Sequence, residues 1–364
     1  MLDGKIVAVV VPAYNEESLI GVVIKTMPDF VDRIVVVNDC SKDKTEEIVK
    51  EYIKKDTYEV LELPWKNREM EENFFNKAEI IANKLLDEED KYYIKHEIVN
   101  DNLKDRIVLI NNEMNAKVGG GISVGYKWCR DHNVFCTAVM AGDAQMDPDE
   151  LYDICYPIIN EDIDYVKGNR LGHKAARILI PTTRRVGNSI LSAMTKISSG
   201  YWRISDTQTG YTAISLRALN RIDIYNIYKN YGMPNDMLIK LNIAKCTIKE
   251  IAIKPVYNVG EQSKMNIIKV IPKISLLLYL GFWKRIIKKY CFKDFHPIFF
   301  FYLMGTGAFG GSLYFFFYIV TRFFRSTKVT DGTYQGFVVM FIASLFCTGL
   351  AMWFDMYDND RLQK

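Results

Sequence analysis

The sequence KIVAVVVPAYNEE occupies residues 5–17 and joins an apolar run to a polar turn. Residues 5–11 are mostly β-branched or small, which is typical of a strand buried on both faces. A similar run covers residues 33–38, and residues 16–27 between them have helical spacing, with Asn15 as the predicted N-cap. Further strands are predicted at 106–111, 135–140 and 164–167. This alternation predicts an α/β fold with a mixed, mainly parallel sheet flanked by helices.

Two polar patterns predict where other helices begin. Asp43 and Glu46 have the spacing of a capping box, so a helix is expected to start there. Asp147 precedes Pro148 and further acids, which favours a cap before a proline at the first helical position. For Asn15 and Asp43, too, capping is favoured over ligand binding.

Polar residues stand where the first two predicted strands end. In an open parallel sheet, ligands bind beyond the carboxyl ends of the strands. Asp39 and Glu16 offer acceptors for a base N–H and for ribose hydroxyls, while Pro12 and Tyr14 offer flat apolar surface. These four residues are therefore predicted to bind a nucleotide.

The segment GDAQMDP, residues 142–148, follows a strand expected to end at Met140. A departing nucleotide diphosphate needs its charge offset, and a hard divalent cation held by oxygen ligands does this. Asp143 and Gln145 can supply such oxygens to Mg²⁺ or Mn²⁺. They are the predicted metal ligands, and Asp143 is also assigned to the nucleotide site.

Composition and charge narrow the class of protein. The 364 residues carry a net charge of +3, which is too small to indicate nucleic-acid binding. Seven scattered cysteines without a CxxC pair indicate free thiols in a reducing compartment. The first residues lead straight into a strand, so no signal peptide is expected. We expect a catalytic domain over residues 1–260, with a helical insertion at about 58–104.

Two long stretches near the C-terminus, residues 298–320 and 334–354, contain no charge. About 20 apolar residues cross a hydrocarbon core of about 30 Å. The pattern predicts two transmembrane helices and a short tail within residues 297–364, rather than buried core helices. Gly307 and Gly311 have a spacing that permits close packing between the spans or between subunits of a homo-oligomer.

Residues 261–296 separate these regions and contain a basic, amphipathic stretch at 267–293, typical of a helix lying among lipid headgroups. The bases nearest the first span are Lys284, Arg285, Lys288, Lys289 and Lys293. The loop between the spans has three, Arg322, Arg325 and Lys328. By the positive-inside rule, this excess predicts an integral membrane protein whose catalytic domain and tail face the cytosol.

An ordered series of motifs makes the chain resemble family 2 glycosyltransferases of the GT-A fold, and among them the polyprenyl-phosphate (dolichol-phosphate) sugar synthases. The motifs are PAYNEE (12–17), NDCSKD (38–43), NAKVGGG (115–121), GDAQMDP (142–148), GNR (168–170), RR (184–185) and DTQTGY (206–211). They extend over most of residues 5–260 apart from the insertion.

The resemblance implies an inverting transfer of a sugar from a nucleotide-sugar, a UDP-hexose or UDP-N-acetylhexosamine, to polyprenyl or dolichyl phosphate. A phosphate monoester, with a second pKa of about 6, is largely dianionic at pH 7 and needs no general base. The catalytic residues that the resemblance implies are Asp143, Arg170, Arg184, Arg185 and Asp206. The acceptor- and sugar-binding residues are Arg170, Arg184, Gln208, Thr209 and Asp236.

Alternatives remain open at several of these positions. One of Arg184 and Arg185 can belong to a solvated or membrane-facing basic patch, and Asp236 or its neighbour Asn235 can cap a helix. Two alternative functions also remain open. The chain could transfer sugar to a lipid-linked sugar hydroxyl, in glycan or polysaccharide synthesis, or it could be an inactive membrane scaffold that binds nucleotide-sugar.

The chain departs from the family pattern at three positions. Ala141 replaces the first acid of the usual Asp-x-Asp, which places the metal on Asp143, Gln145 and the nucleotide phosphates. Asn38 replaces the first of two acids, and Lys117 replaces a common glycine.

Overall fold

Within the described residues, eight strands form one sheet. The computed structural model describes residues 1–58, 63, 71–100, 104–176, 182–256 and 267–364, with 182–186 and 267–270 described by backbone alone. The strands are β1 (Val7–Ala13), β2 (Arg33–Asn38), β3 (His96–Ile98), β4 (Ile107–Asn112), β5 (Cys136–Val139), β6 (Tyr165–Asn169), β7 (Thr212–Ser215) and β8 (Ile248–Ala252). Their order across the sheet is β3-β4-β2-β1-β5-β7-β6-β8.

The predicted mixed, mainly parallel sheet is confirmed. Strand β1 pairs in parallel with β2 and β5, β2 with β4, and β6 with β8. Strand β7 runs antiparallel between β5 and β6, and β3 is an antiparallel edge strand beside β4. The carboxyl ends of β1, β2, β4 and β5 therefore meet at one edge of the sheet.

The helices of the α/β domain cover both faces of this sheet, each face having its own apolar core. In chain order they are α1 (Ile20–Lys25), α2 (Thr45–Lys55), α3 (Lys77–Glu89), α4 (Lys117–Asp131), α5 (Leu151–Asn160), α6 (Thr182–Ser199), α7 (Leu216–Leu219) and α8 (Met233–Ile243). Helix α4 crosses β1 closely, since a Cβ at Gly125 would lie 2.3 Å from Val10 Cγ1. The glycine-rich sequence of α4 thus permits close helix–sheet packing.

Two of the three predicted caps are wrong. Asn15 has a left-handed φ of 56° and lies well before α1, and its Oδ1 accepts from Lys42 N instead. Asp43 accepts from Thr45 N, but Glu46 turns to Lys50 and Asn111, so the reciprocal capping box does not form. At the third site the cap is confirmed: Asp147 accepts from Asp149 N at the start of the 3₁₀ turn Pro148–Glu150.

The described part of the insertion contains more than a helix. After α3 and a short 3₁₀ turn, Asp90–Tyr92, the chain enters β3 and extends the sheet beyond β4. Residues 59–62, 64–70 and 101–103 of the insertion lie outside the described residues.

The C-terminal region is helical: α9 (Ile267–Arg285), a π-helical stretch (Ile286–Lys293), α10 (Pro297–Phe324) and α11 (Asp331–Asp360). Among the described residues, α10 and α11 are the two helices long and apolar enough to cross a membrane. Only 11% and 17% of their most apolar windows are buried, unlike core helices. Among the glycines of α10, the closest approach is at Gly305, where a Cβ would lie 2.5 Å from Thr348 Oγ1. A Cβ at Gly311 would lie 3.5 Å from Met340 Sδ, and one at Gly307 would have no heavy atom of the described residues within 4 Å beyond its own surroundings in the helix.

The stretch 267–293 differs from the predicted interfacial helix in where its charges lie. Leu276 and Leu280 are exposed, as an interfacial helix requires. Arg285 and Lys289, however, are fully buried and form ion pairs with Asp355 and Asp358 of α11. These two bases therefore do not face lipid headgroups. Without them the stretch still has five bases, Lys269, Lys273, Lys284, Lys288 and Lys293, against three in the loop between the spans. The charge count therefore keeps a smaller excess on the predicted side.

Candidate functional site

Asp39 lies directly after β2 and is held by the chain itself. Its carboxylate is 4% exposed, and Oδ1 accepts from Asn112 Nδ2 at 2.9 Å and from Ala116 N at 2.6 Å. Ala116 immediately precedes α4, where the helix dipole favours a negative charge. The Asp39 N–H donates to Ala13 O at 2.9 Å, which ties the end of β2 to that of β1.

Asp39→Ala is expected to lower the free energy of unfolding by about 1–3 kcal/mol, because two buried donors lose their acceptor. Asp39→Asn keeps one acceptor oxygen and is expected to cost less. Chemical denaturation of both variants measures the difference. Equal losses would show that these two hydrogen bonds do not stabilise the site.

The loop after β1 forms the exposed side of the predicted nucleotide site. Pro12 is half-buried and Tyr14 is 40% exposed, so both offer surface to a ligand. The loop is fixed to the loop after β2, because Asn15 N donates to Ser41 Oγ and Glu16 N to Thr45 Oγ1. The structure therefore brings all four predicted nucleotide-binding residues to one edge of the sheet.

Asp143 and Gln145 lie on a tight turn at the same edge. The Gln145 N–H donates to Asp143 Oδ1 at 3.1 Å across Ala144, which has a left-handed φ of 56°. Gly142 N donates to Pro12 O at 3.3 Å, so the turn packs against the loop after β1. Both side chains are partly exposed.

This donor set fits a divalent cation that is shared with a ligand. A carboxylate and an amide oxygen, two residues apart, are hard donors of the kind that Mg²⁺ prefers. Among the described residues, no group of three or more His, Cys, Asp or Glu side chains could hold a metal alone. Phosphate oxygens of a bound nucleotide would have to complete the coordination.

The turn also contacts the segment that the resemblance assigns to the acceptor. Tyr211 OH donates to Asp147 O at 2.9 Å, and a Cβ at Gly210 would lie 3.4 Å from Met146 Cε. The loop that carries the predicted metal ligands therefore packs against the segment 206–211.

Asp206 binds Arg170 in a bidentate ion pair. Arg170 Nε donates to Oδ2 at 2.8 Å and Nη2 to Oδ1 at 3.1 Å. Asp206 is 1% exposed, and burial alone would raise its pKa, but the hydrogen bonds and charge of Arg170, with the charge of Lys167, lower it overall. Asp206 is therefore ionised near neutral pH and fixes the partly exposed Arg170 guanidinium.

Two residues that support this pair were missed from the sequence. Lys167 in β6 is fully buried and donates from Nζ to Thr209 O at 2.6 Å. Glu250 in β8 accepts from Ser205 N and Asp206 N at 2.8 and 2.9 Å. A lysine inside a predicted strand was the available signal for Lys167. Strand β8 was not predicted, so the sequence offered no signal that Glu250 lies near the site.

Gln208 and Asp236 take different roles in the structure. Gln208 Nε2 donates to Asn235 Oδ1 at 2.9 Å, and the same oxygen accepts from Thr195 Oγ1 of α6. Asp236 is 9% exposed, accepts from Tyr228 N and forms a close ion pair with Lys240. Of the two alternatives for Asp236, the helix cap at Asn235 or Asp236 is excluded, because Gly232 precedes α8 without a side-chain cap.

Thr209, Arg184 and Arg185 are the remaining residues predicted on the acceptor side. Thr209 is 3% exposed, and its Oγ1 accepts from Tyr211 N. Arg184 and Arg185 lie at the start of α6, but their side chains are outside the described residues. Their assignment to the acceptor site stays a prediction.

Residues 8–73 match the model of the family described as Glycosyl transferase family 2. A UDP-N-acetylglucosamine–dolichyl-phosphate N-acetylglucosaminyltransferase of Methanococcus voltae is 29% identical over 257 residues, which are 70% of this chain and 88% of that protein. An uncharacterized protein of Methanocaldococcus jannaschii is 24% identical over 257 residues, 70% of this chain and 84% of its own.

Among solved structures, glucosyl-3-phosphoglycerate synthase of Mycobacterium tuberculosis, in complex with Mn²⁺, UDP and glucosyl-3-phosphoglycerate, is 15% identical. The match covers 78% of this chain and 80% of that one, with a TM-score of 0.46.

Proposed function

We propose that this chain, a family 2 glycosyltransferase, transfers N-acetylglucosamine from UDP-N-acetylglucosamine to dolichyl phosphate. The observation that carries the proposal is the similarity to the Methanococcus voltae transferase, which extends over 88% of that protein's length. Glycosyltransferase activity, predicted from the motifs at the strand ends, is confirmed by the family match and by this relative.

A phosphate acceptor agrees with the state of Asp236. An alcohol acceptor needs a general base, whereas a largely dianionic phosphate monoester does not. The Asp236 carboxylate is buried, accepts from Tyr228 N and is paired with Lys240, so its oxygens are engaged and shielded from an acceptor. The predicted site thus has a fixed cation, Arg170, where a hydroxyl acceptor would call for an accessible base.

In the proposed mechanism, Arg170 holds the acceptor phosphate while Asp206 orients the guanidinium. A charge-assisted hydrogen bond of this kind contributes about 1.5–3 kcal/mol. Tyr14 and Pro12 line the nucleotide site, and Asp143 and Gln145 would hold a divalent cation. That cation, when bound, offsets the charge that develops on the departing diphosphate.

The two apolar helices support association with a membrane, where dolichyl phosphate resides. A cytosolic catalytic domain remains our proposal. It is supported by the seven cysteines, all of which are unpaired, as in a reducing compartment. The division into domains 1–260, 261–296 and 297–364 is likewise proposed.

The test uses full-length protein in nanodiscs with Mg²⁺ or Mn²⁺, labelled UDP-sugars, and dolichyl phosphate or dolichol. We expect an organic-extractable product from UDP-N-acetylglucosamine and dolichyl phosphate, and none with dolichol. The sugar phosphate linkage is expected to break in mild acid. A product that resists mild acid would indicate a hydroxyl acceptor, and no product from any donor would indicate a scaffold.

The acceptor KM is expected to rise above a pH of about 8 through Lys167. Burial lowers the pKa of this lysine to about 8, against the opposing charge of Asp206. Below that pH Lys167 is charged and partly balances the charge of Asp206. Above it the amine is neutral, so Asp206 binds Arg170 more strongly and Arg170 binds the acceptor phosphate less strongly. The measurement is the acceptor KM between pH 7 and 9 for wild type and Lys167→Met. The variant should lack this rise, and the same rise in the variant would contradict the assignment.

A further inference from the structure

A polar cluster joins the end of α11 to the catalytic domain. We call it the C-terminal cluster; it consists of Arg285, Lys289, Tyr290, Asp355 and Asn359, each fully buried. Arg285 Nη1 and Nη2 bind the Asp355 carboxylate at 2.7 and 2.8 Å, and Tyr290 OH donates to Asp355 Oδ1 at 2.7 Å. Arg285 is thus paired with Asp355, and Lys289 is paired with Asp358. Arg285, Lys289 and Asp355 each also have a neutral hydrogen-bonding partner.

Arg285 extends the cluster to α6. Its Nε donates to Ser198 O at 2.8 Å and its Nη2 to Ile197 O at 3.1 Å. The last carbonyl groups of a helix have no partner within the helix, and a cation there is favoured by the helix dipole. One guanidinium therefore fixes the C-terminus of α6 and the end of α11 to each other.

The same end of α11 reaches α8 and β8. Asn242 of α8 donates from Nδ2 to Asn359 Oδ1 at 2.7 Å. Beyond α11, Ile248 N of β8 donates to Leu362 O at 2.8 Å, and Lys364 N donates back to Ile248 O at 3.0 Å. The chain after the second candidate span thus extends the free edge of β8.

The acceptor side of the predicted site lies on the same three elements, α6, α8 and β8. Helix α6 contributes Ser192, which hydrogen-bonds Thr207, and α8 contributes Asn235, which binds Gln208. Strand β8 contributes Glu250, which fixes Asp206. Within the described residues, the cluster's hydrogen bonds reach none of β1, β2 and β4, whose ends form the donor side.

We propose that the C-terminal cluster positions the acceptor side of the active site, with Arg285 as its principal positioning residue. The apolar helices that place the protein in the bilayer are thereby coupled to the elements that receive a lipid phosphate. The proposal rests on the proposed function, in which Arg170 holds that phosphate beside the segment 206–209.

The test compares Arg285→Lys with the matched control Arg361→Gln in full-length protein in nanodiscs. Lysine keeps the charge beside Asp355 but lacks the planar fork that binds α6. Arg361, the residue after α11, forms an ion pair with Asp358 and is exposed. Because small misplacements at a reacting centre are costly, we expect Arg285→Lys to raise the dolichyl phosphate KM about tenfold and to leave the UDP-N-acetylglucosamine KM within about twofold. Arg361→Gln should change neither.

Hydrogen exchange gives a readout that does not depend on activity. In Arg285→Lys, amides of α6 and β8 should exchange faster, and those of β1 and β2 should not. An unchanged acceptor KM in the folded variant, or an equal rise of both KM values, would overturn the proposal. Should that variant not fold, Gln363→Ala decides by the same two measurements. It removes the side chain that donates from Nε2 to Asn359 O of the cluster and accepts from Arg203 N. If the wild type makes no product, the proposed function fails, and the exchange pattern alone decides this inference.

Discussion

Replacing Asp143 by asparagine is expected to reduce the rate of sugar transfer by at least about a hundredfold, the usual size of effect when one group that stabilises transition-state charge is lost. Asparagine keeps the oxygen that accepts from Gln145 N, so the turn should be preserved. What is lost is the negative charge that would hold the divalent cation against the diphosphate. The measurement is the initial rate as a function of Mn²⁺ and Mg²⁺ concentration, and half-saturation should shift to higher concentrations of metal.

Asp147→Asn is the matched control for this prediction. It removes a carboxylate from the same loop, where Asp147 pairs with Lys254 and caps the turn at Pro148. Asparagine caps as well as aspartate, so the rate should stay within about threefold of the wild type. Equal losses in both variants would mean that the loop needs negative charge in general, and a fully active Asp143→Asn would exclude Asp143 as the metal ligand.

The donor side of the site could be predicted because it depends on local sequence. Strands β1 and β2 are unbroken apolar runs, and the residues that follow them come to the sheet edge whatever the rest of the chain does. Asp39 and Glu16 are therefore found where the sequence placed them. Asp143 follows β5, which is parallel to β1, and so lies at the same edge. Their ligands remain predictions, since geometry fixes where a carboxylate lies and not what it binds.

The acceptor side could not be predicted in this way because it depends on contacts between distant residues. Strand β8 is short and carries Lys249 and Glu250, so it lacks an apolar run. Glu250 nevertheless fixes Asp206, 44 residues earlier. The sequence allowed Asp236 to be a ligand or a helix cap, but in the structure this carboxylate pairs with Lys240. Helical spacing permits that pair but does not require it.

The departures from the family pattern have local explanations in two cases. Asn38 donates to Asn111 Oδ1 and accepts from Ser41 N, and an amide can do both whereas a carboxylate can only accept. Lys117 has a left-handed φ of 63°, a conformation that glycine adopts without strain, which accounts for the glycine common in relatives. For Ala141, whose N–H faces Met146 Sδ, nothing in the structure explains the loss of the acid.

The second large effect is expected for Arg170→Lys, which should lower kcat/KM for dolichyl phosphate about 10- to 100-fold. The guanidinium presents a planar fork that a lysine cannot reproduce, so the pair with Asp206 would become monodentate and the cation would move away from the acceptor. Losses of 10- to 100-fold correspond to about 1.4–2.7 kcal/mol, close to the range of about 1.5–3 kcal/mol for one charge-assisted hydrogen bond. The KM for UDP-N-acetylglucosamine should not change, since Arg170 lies on the acceptor side.

Arg217→Lys provides the control, because it makes the same change in a comparable pair at the opposite edge of the sheet. Arg217 Nε donates to the buried Asp164 at 2.6 Å, and Nη1 to Asp162 at 2.8 Å. If Arg170 acts on the acceptor, only its own replacement should raise the acceptor KM, while both variants lose similar stability. A loss of donor affinity in Arg170→Lys, or the same kinetic defect in Arg217→Lys, would show that the Arg170–Asp206 pair supports the fold and does not hold the acceptor phosphate.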